Sequence, residues 1–140
     1  MKKMILGSVA GGVTLFLLGG LIYEFLFADF IAGNAGSATG VWKDPPIFWG
    51  LGVSQLALAA LVTYTFDRAG VASALDGLKA GAIFGLLLGV SIAMDFYSVM
   101  NVSNLTATMV EPIFWVVRTA VAGGVIGWTL GMGGSDPQEA

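Results

Sequence analysis

Four long apolar runs, separated by short polar segments, dominate the chain. They extend over about 4–27, 46–66, 78–100 and 111–132. A helix needs about 20 apolar residues to cross roughly 30 Å of hydrocarbon, and each run reaches that length. The pattern predicts an all-α integral membrane protein in which four transmembrane helices form one domain over residues 1–132. Residues 133–140 follow as a short polar tail.

The basic residues near the ends of these runs predict the orientation. Lys2 and Lys3 precede the first run, Arg68 and Lys79 flank the second connection, and only Lys43 stands in the first connection. Cytoplasmic segments carry the excess of Lys and Arg, so both termini are expected in the cytoplasm. With so little external loop in so compact a chain, the inner membrane of a bacterium is the expected location.

One tetrapeptide occurs twice and predicts an internal repeat. Residues 46–49 and 112–115 both read Pro-Ile-Phe-Trp, a shift of 66 positions (112 − 46 = 66). The same shift pairs Asp29 with Asp95. Self-similarity at a fixed distance is typical of repeated units. We therefore expect two tandem hairpins, each starting inside, that form parallel repeats about a pseudo-two-fold axis along the membrane normal.

The repeated tetrapeptide also has a local interpretation. Proline suits the first turn of a helix, and Asp44 or Glu111 close before it would lie at the positive end of the helix dipole. The motif is thus expected to mark where each hairpin re-enters the membrane from outside.

The chain contains 21 glycines, many of them at four-residue spacing. In lipid, small residues at this spacing let helix backbones approach closely. The pattern predicts a tight bundle and leaves open whether the glycine faces meet within one chain or between chains of a homo-oligomer. The helix-packing glycines are Gly7, Gly11, Gly77, Gly81, Gly85, Gly89, Gly123, Gly127 and Gly131.

Polar residues near the centre of the second and third spans form a candidate midplane site. Ser54 and Gln55 lie in the second span, and Ser91 lies at a similar depth in the third. A glutamine inside lipid must find hydrogen-bond partners on other helices. We expect Gln55 to bond Ser91 or a backbone carbonyl, with a polar transport pathway as the alternative.

Three ionisable residues fall inside the predicted spans, in the half of the membrane near the external side. They are Glu24, Asp95 and Arg118. Because a guanidinium cannot deprotonate to avoid the cost of burial, Arg118 is expected to pair with Glu24 or Asp95 and to clasp the hairpins together. The alternative is that these residues bind a proton or a small solute.

Aromatic side chains at the external ends of the spans form a predicted interface belt, because Trp and Tyr favour the headgroup level of a membrane. The anchors are Trp42, Trp49, Tyr97 and Trp115.

Composition narrows the possible functions. The chain is 56% hydrophobic and 11% charged, with a net charge of −3, no cysteine and no histidine. These values exclude thiol chemistry and the commonest metal and haem ligands, and the charge offers no surface for nucleic acid. We expect no metal, no cofactor and no catalytic residues, with the lipid bilayer and other membrane subunits as partners.

Two further segments carry a family resemblance. Residues 18–23 read Leu-Gly-Gly-Leu-Ile-Tyr, and residues 77–82 read Gly-Leu-Lys-Ala-Gly-Ala. This pattern resembles an uncharacterised family of small bacterial four-helix inner-membrane proteins that carries a domain-of-unknown-function label. The resemblance implies four spans and adds no catalytic residue.

These observations favour a non-enzymatic structural or interaction subunit, or a small homo-oligomer. The alternative is a transporter or channel for a proton or small solute that uses Glu24, Asp95 and Arg118.

Overall fold

A computed structural model describes residues 1–132, and the polar tail at 133–140 lies outside the described residues. The described residues form no β-strand, and four helices are long and apolar enough to cross a membrane. This confirms the predicted all-helical architecture with four spans. The elements are α1 (Lys2–Gly20), a π-helical segment (Leu21–Leu26) that continues α1, α2 (Ala28–Gly33), α3 (Phe48–Arg68), α4 (Ala74–Val99) and α5 (Leu105–Gly131).

The start of α4 lies before the predicted span because Ser73 caps the helix. Its hydroxyl accepts a hydrogen bond from the Asp76 backbone N–H at 3.1 Å and donates one to the Asp76 carboxylate at 2.7 Å. This pair satisfies an otherwise free donor of the first turn, as in a capping box. The helix therefore includes polar residues that precede the apolar run.

α5 begins at Leu105, which corrects the interpretation of the second Pro-Ile-Phe-Trp motif. Asn104 is the N-cap, and its side chain accepts a hydrogen bond from a first-turn N–H at 3.0 Å. Pro112 therefore lies about two turns inside α5. In the first copy, Pro46 precedes α3, which begins at Phe48. Neither proline stands in the first turn, and in α5 the reason is that Asn104 provides the N-terminal cap.

α5 is the central helix of the bundle. It packs against α1 on one side and α4 on the other, while α3 packs mainly on α1. A Cβ at Gly77 or Gly81 would overlap backbone atoms of α5. Thr119 of α5 uses this proximity to donate a hydrogen bond to the Gly81 carbonyl at 2.8 Å. The two helices thus touch through their backbones, which in lipid supplies attraction that apolar side chains alone do not.

The contact of α1 with α3 and α5 combines glycine with an apolar core. A Cβ at Gly11 would stand 2.6 Å from an Ile126 side-chain carbon, so α1 lies close to α5 there. One turn along α1, Leu15 packs with Ala59 of α3 and Ala122 of α5, and all three are at most 2% exposed. This cluster joins the first hairpin to the second.

The two connections at one end of the bundle bind each other. Gly36 donates its backbone N–H to the Val102 carbonyl at 3.0 Å, and Asn104 donates to the Asn34 carbonyl at 2.9 Å. Ala35 and Ser103 form an isolated antiparallel bridge. The end of α4 is therefore tied to the chain that follows α2.

We expect Gly81→Ala to lower the free energy of unfolding by about 1–3 kcal/mol, because the added methyl overlaps the backbone of α5. Gly52→Ala is the matched control, since no atom lies within 4 Å of its Cβ position. That variant should be neutral or up to about 1 kcal/mol more stable through helix propensity. Unfolding by SDS in mixed micelles measures both, and equal effects would contradict the backbone contact.

Candidate functional site

Arg118 is the buried charge at the centre of the polar cluster. It lies on α5, its side chain is 5% exposed, and its Nη2 donates a hydrogen bond to Gln55 Oε1 of α3 at 2.6 Å. Its Nε has no hydrogen-bond partner among the described residues. At about 1.5 Å per residue, Arg118 lies roughly 10 Å deeper along α5 than Glu111. The guanidinium thus joins two helices well inside the membrane.

Aromatic rings supply much of the remaining environment of Arg118. Its Cζ lies 5.5 Å from the Tyr23 ring centroid and 5.4 Å from the Trp115 ring. A desolvated cation over an aromatic face gains about 2 kcal/mol. Gly19 of α1 faces the same group, since a Cβ there would stand 3.3 Å from Nη2. The absence of a side chain at Gly19 lets α1 approach the guanidinium.

Tyr23 connects this charge to a carboxylate. Its hydroxyl donates a hydrogen bond to Glu111 Oε1, and its ring packs edge-on against Phe114 at 5.8 Å between centroids. Glu111, Tyr23, Arg118 and Gln55 therefore form a line of polar contacts that joins the π-helical segment of the first span, α5 and α3. Hydrogen bonds to charged groups are the stronger ones.

A π-helical segment positions Tyr23 for this contact. Leu21–Leu26 departs from the α-helical hydrogen-bond pattern, and within it Ile22 is buried at 5% exposure while Tyr23 reaches Glu111. Short π-helical segments alter the direction of side chains in a long helix and occur frequently at functional sites.

The structure does not bring Arg118 together with Glu24 or Asp95, and this corrects the expected ion pair. Within residues 1–132 neither carboxylate lies within salt-bridge distance of Arg118, whose hydrogen-bond partner is Gln55. Glu24 and Asp95 are both exposed. The buried residues of α4 run from Gly77 to Ala93 along the face toward α5, and Asp95 lies on the opposite face.

Of the three candidate midplane residues, only Gln55 faces the interior of the bundle. Gln55 points inward and accepts from Arg118, whereas Ser54 and Ser91 are exposed. The expected hydrogen bond between Gln55 and Ser91 is therefore replaced by a charge-assisted bond to Arg118. Periodicity explains the difference, because adjacent residues of a helix point about 100° apart and only one of Ser54 and Gln55 can face α5.

Of the four aromatic residues predicted as interface anchors, three are exposed and one packs between helices. Trp42 and Trp49 are 76% and 77% exposed, and Tyr97 is 40% exposed, as anchors at a membrane interface require. Trp115 instead packs between α5 and α4, with its Cβ 2.7 Å from the position of a Cβ at Gly89. Trp115 therefore lines the Arg118 site. The indole fits against α4 because Gly89 has no side chain there.

Sequence reasoning missed Tyr23 and Glu111 as members of the site. The sequence pattern predicts Glu111 at the external end of the fourth span, at the positive end of the helix dipole, where a carboxylate needs no other partner. Asn104, a strong N-cap residue, was the available signal that α5 starts earlier and that Glu111 lies within it. Nothing local in the sequence indicates the π-helical segment that directs Tyr23.

The arrangement acts chemically as a fixed positive charge held by three helices. A guanidinium does not lose its proton in proteins, so the charge of Arg118 is permanent. Among the described residues no group of three acidic, cysteine or histidine side chains could hold a metal ion.

Comparison with protein-family models, with curated proteins and with solved structures found no match to this chain.

We expect Gln55→Leu to lower the free energy of unfolding by roughly 2 kcal/mol, because it leaves the buried Arg118 without its acceptor. The neighbouring Ser54→Leu, at an exposed position, should change it by less than about 0.5 kcal/mol. In a double-mutant cycle, Arg118→Met combined with Gln55→Leu should cost less than the sum of the two single changes. Additive costs would show that the two side chains do not interact.

We expect Tyr23→Phe to cost about 1.5–3 kcal/mol, because it removes one hydroxyl and leaves Glu111 without a donor. Tyr97→Phe provides the matched control at an exposed site and should be nearly neutral. Thermal unfolding in detergent compares the two variants, and similar melting temperatures would argue against the Tyr23 contact.

Proposed function

We propose that the protein is a non-enzymatic structural or interaction subunit of a bacterial inner membrane. In this proposal it is built from two tandem hairpins, has both termini in the cytoplasm and assembles as a small homo-oligomer. The observation that carries the proposal is that the buried polar side chains join helices to one another: Arg118 binds Gln55 across α5 and α3, and Tyr23 binds Glu111 across the first span and α5.

The distribution of charge at the two ends of the bundle supports the orientation. One end of the bundle carries four basic residues near the helix ends, Lys2, Lys3, Arg68 and Lys79. At the opposite end of the bundle, the only basic residue in the described chain is Lys43. By the positive-inside rule, the end of the bundle with four basic residues faces the cytoplasm in this proposal.

One contact between corresponding residues, and one pair of corresponding residues that share a neighbour, support the tandem hairpins. Gly36 and Val102 correspond at a shift of 66 (102 − 36 = 66), and they share a backbone hydrogen bond at 3.0 Å. Thr63 and Thr129 also correspond (129 − 63 = 66). Their hydroxyl oxygens stand 3.4 Å and 3.0 Å from the position of a Cβ at Gly7.

Where a pseudo-two-fold axis relates two repeats, corresponding residues near that axis lie close to each other. The pair Gly36 and Val102 lies beyond one end of the spans, and the pair Thr63 and Thr129 lies near the other ends of α3 and α5. Both hairpins run in the same direction along the bundle, as parallel repeats require, but the packing is uneven, because α1 packs on α5 while the corresponding helices α4 and α3 barely touch.

The outer face of α4 supports an assembly with a second copy. Ser91 and Asp95 stand one turn apart and are both exposed, while Gly85, Gly89 and Ala93 face the other way. Polar groups on a face toward lipid are costly. Another copy that covers this face would give Ser91 and Asp95 hydrogen-bond partners.

Disulfide cross-linking in native membranes tests the assembly. The chain has no cysteine, so any cross-link between two copies must involve the introduced cysteine. We expect Ser91→Cys to form cross-linked dimers under a mild oxidant and Ser54→Cys, an exposed serine on α3, to form few. The protein extracted gently from the membrane should also exceed the mass of one 14.5 kDa chain in native mass spectrometry.

A monomer in native mass spectrometry, with neither variant cross-linked, would contradict the homo-oligomer. Transport is tested separately by reconstitution into liposomes. A proton or solute flux that is lost in Asp95→Asn or Glu24→Gln, with the fold retained, would replace the subunit proposal by the transporter alternative.

A further inference from the structure

Two apolar grooves follow each other along the seam between α1 and α3. The first, of about 460 Å³, runs beside Met4 and Ser8 of α1 and is bordered by Ala60 of α3. The second, of about 430 Å³, continues beside Val13 and Phe16. Val9 and Leu56 line both grooves. Both grooves are shallow and open, and they meet on the membrane-facing surface at the level of Val9 and Leu56.

The first groove has a length that fits within one leaflet. The α1 residues of the first groove run from Met1 to Val9, and those of the second run from Val9 to Leu17. At about 1.5 Å per residue, each stretch is roughly 12 Å long. Half of the hydrocarbon thickness is about 15 Å. The first span extends over Lys2–Leu26, so its middle lies near Thr14. The first groove, at the Lys2 end of the span, therefore lies within one leaflet and offers most of the length that an acyl chain of that leaflet occupies.

The ends of the two grooves differ in charge. Lys2 and Lys3 are exposed beside the open end of the first groove, next to Met1 and Met4 that line it. Phe48 of α3 lines the far end of the second groove. Basic side chains at the membrane surface attract anionic lipids, at about 1 kcal/mol for each Lys or Arg near the surface. The first groove thus combines an apolar lining with two lysines at headgroup level.

We infer that the first groove binds one anionic phospholipid, with an acyl chain along Met4, Ser8 and Ala60 and the phosphate paired with Lys2 and Lys3. The inference rests on the apolar groove, its length and the charge at its open end, and it is independent of the assembly proposed above. The lipid would fill the seam between α1 and α3 and would extend their contact toward the membrane surface.

Native mass spectrometry of the detergent-purified protein tests the charge preference. Phosphatidylglycerol and phosphatidylcholine with identical acyl chains are the probes. We expect one tightly retained phosphatidylglycerol, bound about 30-fold more tightly than phosphatidylcholine, the equivalent of about 1 kcal/mol for each of two lysines. The double variant Lys2→Gln/Lys3→Gln should lose this preference. Lys79→Gln, which removes an exposed lysine from α4, should keep it.

A second variant tests the groove itself. Ala60→Trp places an indole in the first groove, whereas Ala57→Trp places one at an exposed position of α3 that borders neither groove. We expect Ala60→Trp to abolish the retention of both lipids and Ala57→Trp to preserve it. The unfolding transition of each variant verifies that the fold is retained.

Three results would overturn the inference. One is equal binding of the two lipids to the unsubstituted protein. Another is unchanged phosphatidylglycerol binding in Lys2→Gln/Lys3→Gln or in a folded Ala60→Trp. The third is a change from dimer to monomer in Ala60→Trp with lipid retention unaltered, which would assign the groove to a second copy of the chain.

Discussion

The close contact between the backbones of α4 and α5 is the interaction on which the rest of the structure depends. Apolar side chains gain little by leaving lipid for protein, so helices in a membrane associate through close packing and hydrogen bonds. Glycine on α4 lets α5 approach until Thr119 bonds a carbonyl of its neighbour. With one face of α5 occupied in this way, Arg118 is directed to the other side, toward α1 and α3.

The surroundings of Arg118 show how a buried charge is accommodated without a carboxylate at contact distance. Burial of an ion pair removes two charges from water, and the attraction between them does not always offset that cost. Gln55 provides an acceptor that carries no charge to desolvate, and two aromatic rings face the cation. Glu111 is kept one side chain away, on the far side of Tyr23. The result fixes the relative positions of three helices through directional contacts.

The sequence was sufficient to predict the four spans, because length and apolar content determine them. It also identified Arg118 and Gln55 as polar residues that require partners, but it could not pair them. That pairing depends on the rotation of α3 and α5 about their axes, which the weak amphipathicity of helices in lipid does not reveal. Position along the chain suggested Asp95 as a partner, yet Asp95 faces away from α5 because glycine occupies the inward face of α4. The start of α5 was recoverable from Asn104, whereas the π-helical direction of Tyr23 was not.

Under the proposed correspondence of 66 positions, the polar cluster has no counterpart, because the corresponding positions carry other residue types. Arg118 corresponds to Gly52, Tyr23 to Gly89, Glu111 to Pro45 and Gln55 to Val121. The glycines at positions 11 and 77, and at 19 and 85, also correspond, and all four face α5. α5 therefore serves both halves, while α3 has no equivalent second neighbour and leaves its seam with α1 open. A repeat that packs this unevenly concentrates its buried polar contacts around one helix and leaves one seam to the lipid, which is where the phospholipid is inferred to bind.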